Sequence, residues 1–368
     1  MRIVGIDVFG YELSFRHGSY VMSKGRVVER LPSTVVRVRT DEGIDGWGET
    51  CPLGTTYLAA SGEGARTALR ELAPGLLGLD AGNLALVNEA MDRALHGHAY
   101  AKSAVDVACW DILGKAAGLP VSTLLGGRLQ ESYPLYMAVP LGPADAMVEY
   151  VRARVAEGIH HFQLKLGADP REDAEHVARV VDATGEDEIV IADANGGWRL
   201  QDAVVAARLL EQRPRTYFEQ PCASLEECLY VRRLTALPMI LDEVITDTQS
   251  LLRAWSARGM EAINLKLSKS GGLSKAKLIR DLADDLGLRL TIEDTWGGDL
   301  TTAAVSHLAA STRPATLFTV SFMNDWVVEH IAGYEPRSTN GIGHTPTGPG
   351  LGVEVDVDVL GAPLYSVS

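Results

Sequence analysis

Asp193, Glu219 and Asp242 each close a short apolar run, and Lys165 and Lys266 close similar runs on either side of them. The successive spacings are 28, 26, 23 and 24 residues. Each spacing is about the length of one strand plus one covering helix. In a closed parallel barrel the five side chains would therefore emerge together, at the carboxyl ends of consecutive strands. Carboxylates gathered in this way repel one another unless a cation neutralises them. A hard divalent ion such as Mg2+ takes a few carboxylates and leaves positions for water and substrate oxygens. An amine on each flank, its pKa lowered by the cation and by desolvation, is then a base able to take a proton at neutral pH. Plainer roles compete: strand-end acids cap helices or pair with lysines, and a barrel lysine snorkels to solvent or serves as a counter-ion.

Residues of this kind need a repeating frame to hold them. From Tyr133 onward, apolar runs at 133–138, 161–166, 189–193, 216–219, 238–242, 262–266, 288–293 and 316–320 alternate with helical stretches. Among these stretches are Ala144 to Glu157, Glu172 to Ala183, Gln201 to Gln212 and Lys275 to Asp285. The helix starts often carry Asp, Ser or Pro, as caps do. Such alternation predicts the α/β class with a parallel sheet, and eight strands predict closure into a barrel. Side chains alternate along a strand, so Gln163 shares a face with Lys165, and Asn264 with Lys266.

Residues 1 to about 127 follow another rhythm. Ile3 to Tyr11 and Ser33 to Thr40 alternate as strands, Asp41-Glu42-Gly43 is a turn signal, and Gly46-Trp47-Gly48-Glu49 starts a return strand. Gly62 to Leu72, Asn83 to Leu95 and Ala101 to Ala117 have helical spacing, the last stopped by Gly118-Leu119-Pro120. The expected division is an α+β capping domain over 1–127, a barrel over 128–343 and a segment over 344–368 that returns to the cap. Within that last segment Gly352-Val353-Glu354-Val355-Asp356-Val357 alternates like a strand and is expected to make the pairing.

A chain of 368 residues with 46% hydrophobic content can bury a sizeable core and is too long for one average domain. Its formal net charge of −14 argues against nucleic acid or an anionic membrane as partner. Cys51, Cys109, Cys222 and Cys228 form no CxxC pair, so neither a zinc site nor a disulfide framework is indicated and reduced thiols in a cytoplasmic protein are expected. No stretch approaches the ~20 apolar residues of a membrane span, and Met1 to Gly10 lacks the apolar core of a signal peptide.

Asp193-Ala194-Asn195-Gly196-Gly197-Trp198, Phe218-Glu219-Gln220-Pro221, Asp242-Glu243, and Lys266 followed by Gly271-Gly272 occur in that order. They resemble the strand-end signatures of the enolase superfamily, in its mandelate racemase and muconate lactonizing enzyme branch. The resemblance extends into the cap through Gly46-Trp47-Gly48-Glu49 and Ala108-Cys109-Trp110-Asp111. It implies a (β/α)7β modified TIM barrel with an α+β N-terminal capping domain. It implies Mg2+ held by Asp193, Glu219 and Asp242, with Lys165 and Lys266 as acid/base lysines on opposite sides of a small carboxylate substrate. The implied chemistry is removal of the proton beside that carboxylate, with the charge developing as an enediolate that the metal stabilises. Barrels of this kind commonly assemble through cap and helix surfaces, so a homo-oligomer is implied too.

Departures from the family narrow the chemistry. Gln163 stands where a second lysine is often found, strand seven ends Glu293-Asp294-Thr295-Trp296 without a His, and strand eight ends Thr319-Val320-Ser321-Phe322 without an acid or an Asp-x-Asp motif. Mandelate racemase's own Lys–His pair, the acid-sugar dehydratases and the dipeptide epimerases therefore fit poorly. The segments Gly18 to Gly25 and Thr50 to Tyr57 read as lid loops. Expected substrate contacts are Tyr20, Thr56, Tyr57, Gln163, Asn195, Asp294, Thr295, Trp296 and Phe322. Tyr20, Tyr57, Trp296 and Phe322 together would make an aromatic pocket for an apolar ring or a cationic ammonium. Gly48-Glu49-Thr50-Cys51-Pro52, His98-Ala99-Tyr100-Ala101-Lys102 and Trp296-Gly297-Gly298-Asp299 resemble members acting on proline-like substrates, the hydroxyproline-betaine 2-epimerases and cis-3-hydroxyproline dehydratases. The leading expectation is an epimerase or racemase with two opposed lysines. Dehydration of a hydroxylated imino acid is its alternative, followed by cycloisomerisation or a non-catalytic metabolite-binding barrel.

Overall fold

The computed structural model of the chain describes residues 1–139, 141–213 and 215–368, without the side chain of Lys24, which falls in the first of the two expected lid segments. In the cap, Ile3–Ser14, Arg30–Thr40 and Asp45–Thr50 form an antiparallel sheet, and Gly43, at φ +75°, makes the tight return between the last two. Helices Gly62–Leu72, Leu84–Ala94 and Ala99–Ala117 cover it. The longest of these packs so closely on the third strand that a Cβ on Gly46 or Gly48 would lie 2.0 or 1.9 Å from the carbonyl oxygens of Ala108 and Ala104. Glycine is needed there for backbone approach, not for a turn.

The fourth strand of this sheet is Tyr365–Val367, paired antiparallel with Ile3–Ser14. The expected pairing segment, 352–357, is not a strand. The Asp356 carboxylate accepts from the Asp358 and Val359 N–H groups and starts the short helix Val357–Leu360, a local capping interaction that overrides the alternation.

Eight parallel strands follow in sequence order: Tyr136–Val139, His161–Lys165, Ile189–Asp193, Thr216–Glu219, Met239–Leu241, Ala262–Lys266, Arg289–Glu293 and Leu317–Val320. A parallel bridge from Leu135 to Val320 brings the last strand against the first. The expected first strand, 133–138, is split. Ser132–Pro134 pairs instead with Ile342–His344, because Pro134 has no N–H to give to a barrel ladder. Helices Ala144–Ala156, Pro170–Ala183, Leu200–Leu210, Leu225–Arg232, Thr248–Ser256, Leu273–Asp285 and Asp299–Ala310 cover the barrel, and the eighth strand leads into a single turn, Met323–Trp326. Seven strand–helix units and a closing strand make the (β/α)7β form.

Cap and barrel are joined by buried polar contacts. The Glu49 carboxylate accepts from Ser33 Oγ at 2.7 Å and from the Gly298 and Thr301 N–H groups at 2.8 and 3.1 Å, capping the barrel helix Asp299–Ala310 from the cap. Asp106 accepts from the Ser274 N–H, and a Cβ on Gly272 would sit 2.4 Å from its carboxylate. Several signature residues thus hold the two halves together. All four cysteines are buried, unbridged thiols, and among the described residues no helix is long and apolar enough to cross a membrane.

Candidate active site

The carboxyl ends of barrel strands two to seven converge under the cap. Lys165, Asp193, Glu219 and Lys266 are the final residues of their strands, and Asp242 follows directly on Leu241. The two lysines are 6% exposed and the three acids 1% or less, so each charge must find its partner within the protein. Lys165 Nζ donates to Asp193 Oδ2 at 2.6 Å, and Lys266 Nζ donates to Asp242 Oδ2 at 2.6 Å. Glu219 accepts from Gln163 at 3.1 and 3.2 Å and from Asn264 at 2.7 Å. The face sharing of Gln163 with Lys165 and of Asn264 with Lys266 therefore places both amides in the site. Gln220, at φ +33°, accepts from the Asp242 N–H at 2.9 Å and so ties the fourth strand's end to the fifth.

Burial alone would lower both lysine pKa values, but the carboxylates outweigh it. Without a cation, Asp193 raises Lys165, and Asp242, Glu293 and Glu243 raise Lys266, each above the ordinary lysine value. Burial, followed by repulsion from Asp193 and Asp242, pushes Glu219 well above the usual carboxylate range. Asp242 goes the other way: burial would raise it, but Lys266 and Lys269 hold it well below. In this arrangement no three of the described Asp, Glu, His or Cys side chains are grouped so as to grip one ion, and an ammonium group lies against each of Asp193 and Asp242.

Tyr20, Tyr57, Gln163, Asn195, Asp294, Thr295 and Trp296 all line the pocket over the lysines. Asp294 is already satisfied by the Ser268 N–H and hydroxyl and the Thr295 N–H. Thr56 and Phe322 do not line it. Thr56 is exposed, and its carbonyl accepts from Arg26 Nη1 at 3.1 Å. Phe322 is 2% exposed and packs edge-on to Tyr133 at 6.1 Å. The alternation past strand eight puts Ser321 and Met323 toward the pocket, and Phe322 with the other parity points away. The aromatic wall is completed instead by Trp326, with its ring 6.3 Å from that of Trp296.

Residues that the sequence reading passed over also belong to the site. Glu293 accepts hydrogen bonds from Tyr136 and Asn264 and lies 3.4 Å from Lys266 Nζ. Lys269 donates to Asp242 Oδ1 at 2.8 Å and to the Asp242 carbonyl at 2.5 Å. Glu243 accepts from Asn195 Nδ2 at 3.1 Å, while Glu243 Oε2 and Asn195 Oδ1 are buried without a hydrogen-bond partner among the described residues. Burial, then repulsion from Asp242 and Asp193, raises the Glu243 pKa to about 7. The parity of Glu293, which closes strand seven as Lys266 closes strand six, was the available signal for it.

Residues 12–126 match the family described as "Mandelate racemase / muconate lactonizing enzyme, N-terminal domain", and residues 146–359 match "Enolase C-terminal domain-like". The chain is 44% identical over 368 residues to cis-3-hydroxy-L-proline dehydratase of Roseibium aggregatum, covering 100% of both chains. It is 28% identical to N-succinyl-L-Arg/Lys racemase of Bacillus cereus, over 86% of each chain. A solved member of the enolase superfamily from Roseovarius nubinhibens, complexed with magnesium, superposes with a TM-score of 0.94 at 36% identity, covering 100% of this chain and 99% of that one.

Proposed function

Because the chain belongs to the enolase superfamily, in its mandelate racemase and muconate lactonizing enzyme branch, we propose that it removes the proton beside the carboxylate of a 3-hydroxylated imino acid, such as cis-3-hydroxyproline, and expels water. The observation that carries this reading is the pair of buried lysines, each 2.6 Å from a strand-end carboxylate, over one pocket. The preference for dehydration over the epimerisation expected from sequence rests on the dehydratase relative at 44% identity, against 28% for the racemase.

The residue types, though not their present spacing, fit a divalent cation. Their donor set is oxygen only, the Glu219 carboxylate is disfavoured by burial and then by Asp193 and Asp242, and the buried Asn195 Oδ1 and Glu243 Oε2 have no partner among the described residues. Asp193, Glu219 and Asp242 would hold it, and magnesium is the ion found with the Roseovarius relative. Bound there, it would offset both the carboxylates that keep the lysines protonated and the charge that develops on the substrate carboxylate.

The chain's own residues do the rest. One lysine takes the α-proton. The electron pair left on the α-carbon forms a double bond to the β-carbon as the C–O bond breaks. The hydroxyl leaves as water, with a proton from the opposite ammonium. Gln163, Asn264 and Glu293 hold the lysine and Glu219 in register, and the aromatic wall excludes water from the face of the ring. Epimerisation is the second reading. It is favoured by a wall of Tyr20, Tyr57, Trp296 and Trp326 that suits a quaternary ammonium, and it needs the second lysine to return the proton.

Proton NMR in D2O with Mg2+, using cis-3-hydroxy-L-proline, proline betaine and N-acyl amino acids as probes, separates the readings. Loss of water from the hydroxylated probe supports dehydration, and deuterium at the α-carbon with inversion supports epimerisation. Lys165→Met and Lys266→Met should each lower turnover by at least about 10²-fold. Full activity in both variants would refute either lysine mechanism.

A further inference from the structure

We propose that a depression at the amino-terminal end of the barrel, opposite the lysines, binds a small phosphate monoester that carries a planar ring, a nucleoside monophosphate being its plainest form. The depression has a free volume of about 870 Å³. That is room for a small ligand, whose pockets commonly measure ~300–1,000 Å³. Tyr217, Glu261 and Arg289 lie on its wall, at or beside the starts of the strands Thr216–Glu219, Ala262–Lys266 and Arg289–Glu293. The same strands end at Glu219, Lys266 and Glu293, so this depression and the pocket over the lysines occupy opposite ends of the barrel.

Three arginines and one glutamate line it, a local charge of +2 on a chain whose formal net charge is −14. Residues at this end of a barrel ordinarily serve stability, and one pair here does. Glu261 accepts from Arg232 Nη2 through one oxygen and from the Met239 N–H at 2.7 Å through the other, so its charge is already engaged. Arg258 and Arg289 differ: neither guanidinium has a hydrogen bond or ion pair among the described residues. The Arg289 guanidinium lies 4.7 Å from the ring centroid of the buried Phe318, which holds its face and leaves its N–H edge without an acceptor. Arg258 stands at φ +53°, just past the helix Thr248–Ser256, in the left-handed region where glycine is the usual residue. The turn by itself does not call for an arginine.

Trp255 supplies the ring surface. Its indole N–H donates to the Leu286 carbonyl at 3.3 Å, which fixes the ring, yet the residue is 42% exposed. A fixed, exposed indole in one depression with two unpaired guanidiniums offers a stacking face together with charged donors. A phosphate dianion matches the two guanidiniums in charge and has three oxygens with which to accept from both. Stacking on the indole tolerates any base.

The test is calorimetric titration of the full-length protein at about pH 8, where the monoester is a dianion. The probes are adenosine monophosphate, uridine monophosphate, adenosine, inorganic phosphate and phthalate. Both nucleotides should bind, more weakly as salt is raised. Adenosine should not bind, and inorganic phosphate should bind at least about fivefold more weakly than the nucleotides, since it has no ring to stack. Arg258→Gly suits the left-handed turn, so its thermal midpoint should not fall. It should nonetheless weaken nucleotide binding about tenfold or more, the loss expected of one hydrogen bond between charged groups. Arg289→Gln should weaken it likewise, and Trp255→Leu should bring the nucleotides down to the level of inorganic phosphate. No nucleotide binding at millimolar concentration would overturn the site, and so would binding that survives both arginine variants, because it would then lie elsewhere. Phthalate held as tightly as the nucleotides would overturn the preference for phosphate. Inorganic phosphate held as tightly would mean an adventitious ion only and would overturn the ring.

Discussion

The seam between cap and barrel should carry its own acid sensitivity, and His307 is the residue that reports it. His307 lies in the barrel helix Asp299–Ala310 and is 0% exposed. The Ser122 N–H donates to its Nδ1 at 3.1 Å, so that nitrogen is unprotonated, and Nε2–H donates to the Leu351 carbonyl at 3.0 Å. One neutral imidazole thereby joins the barrel, the end of the cap and the returning C-terminal segment. Burial lowers its pKa from 6.5 to about 4, because a charged ring would be desolvated and would press a second N–H against that of Ser122. The folded value lies below the unfolded one, so this stabilisation is present above pH 6.5 and is lost as the pH falls toward 4. Linkage with these two values puts the loss between pH 7 and pH 5 at about 2 kcal/mol. For a chain of this length that is a fall of about 2–3 °C in thermal midpoint. Glutamine can accept from the Ser122 N–H and donate to the Leu351 carbonyl without titrating, so His307→Gln should remove that part of the pH dependence. Scanning calorimetry of both proteins across this range is the measurement. Parallel midpoint curves for wild type and His307→Gln would refute the argument, whatever their offset.

Other perturbations test the frame and the pocket. Gly48→Ala places a Cβ 1.9 Å from the Ala104 carbonyl oxygen, and it should cost at least about 1–3 kcal/mol in denaturant unfolding, since backbone on both sides must shift. Trp326→Leu should raise KM for an active probe while the thermal midpoint falls little. Phe322→Leu should do the opposite, because its ring packs on Tyr133 in the core and not over the lysines.

Much of this protein is legible in its sequence for simple reasons. Strand and helix periods of 2 and 3.6 residues are local, so the eight strands and their covering helices can be read directly, and Lys165, Asp193, Glu219 and Lys266 each stand where an apolar run ends. Where the sequence reading erred, a competing local interaction or a choice of facing decided the outcome. The Asp356 cap turned an alternating segment into a helix, and Pro134 broke the first strand. Phe322 turned away from the pocket, which Trp326 lines, because parity beyond the end of a strand depends on how the following turn winds.

The sequence by itself determined the repeating frame and the five charged residues that close its strands, because spacing and residue type suffice for both. Only the tertiary structure decided the partners of the lysines, carboxylates 24 or more residues away in sequence that meet them at 2.6 Å. It also decided that Glu293, Lys269 and Glu243 join the site, and that Tyr57 from a cap loop reaches Lys266. These contacts come from elements far apart in the chain, and no local pattern encodes how such elements meet.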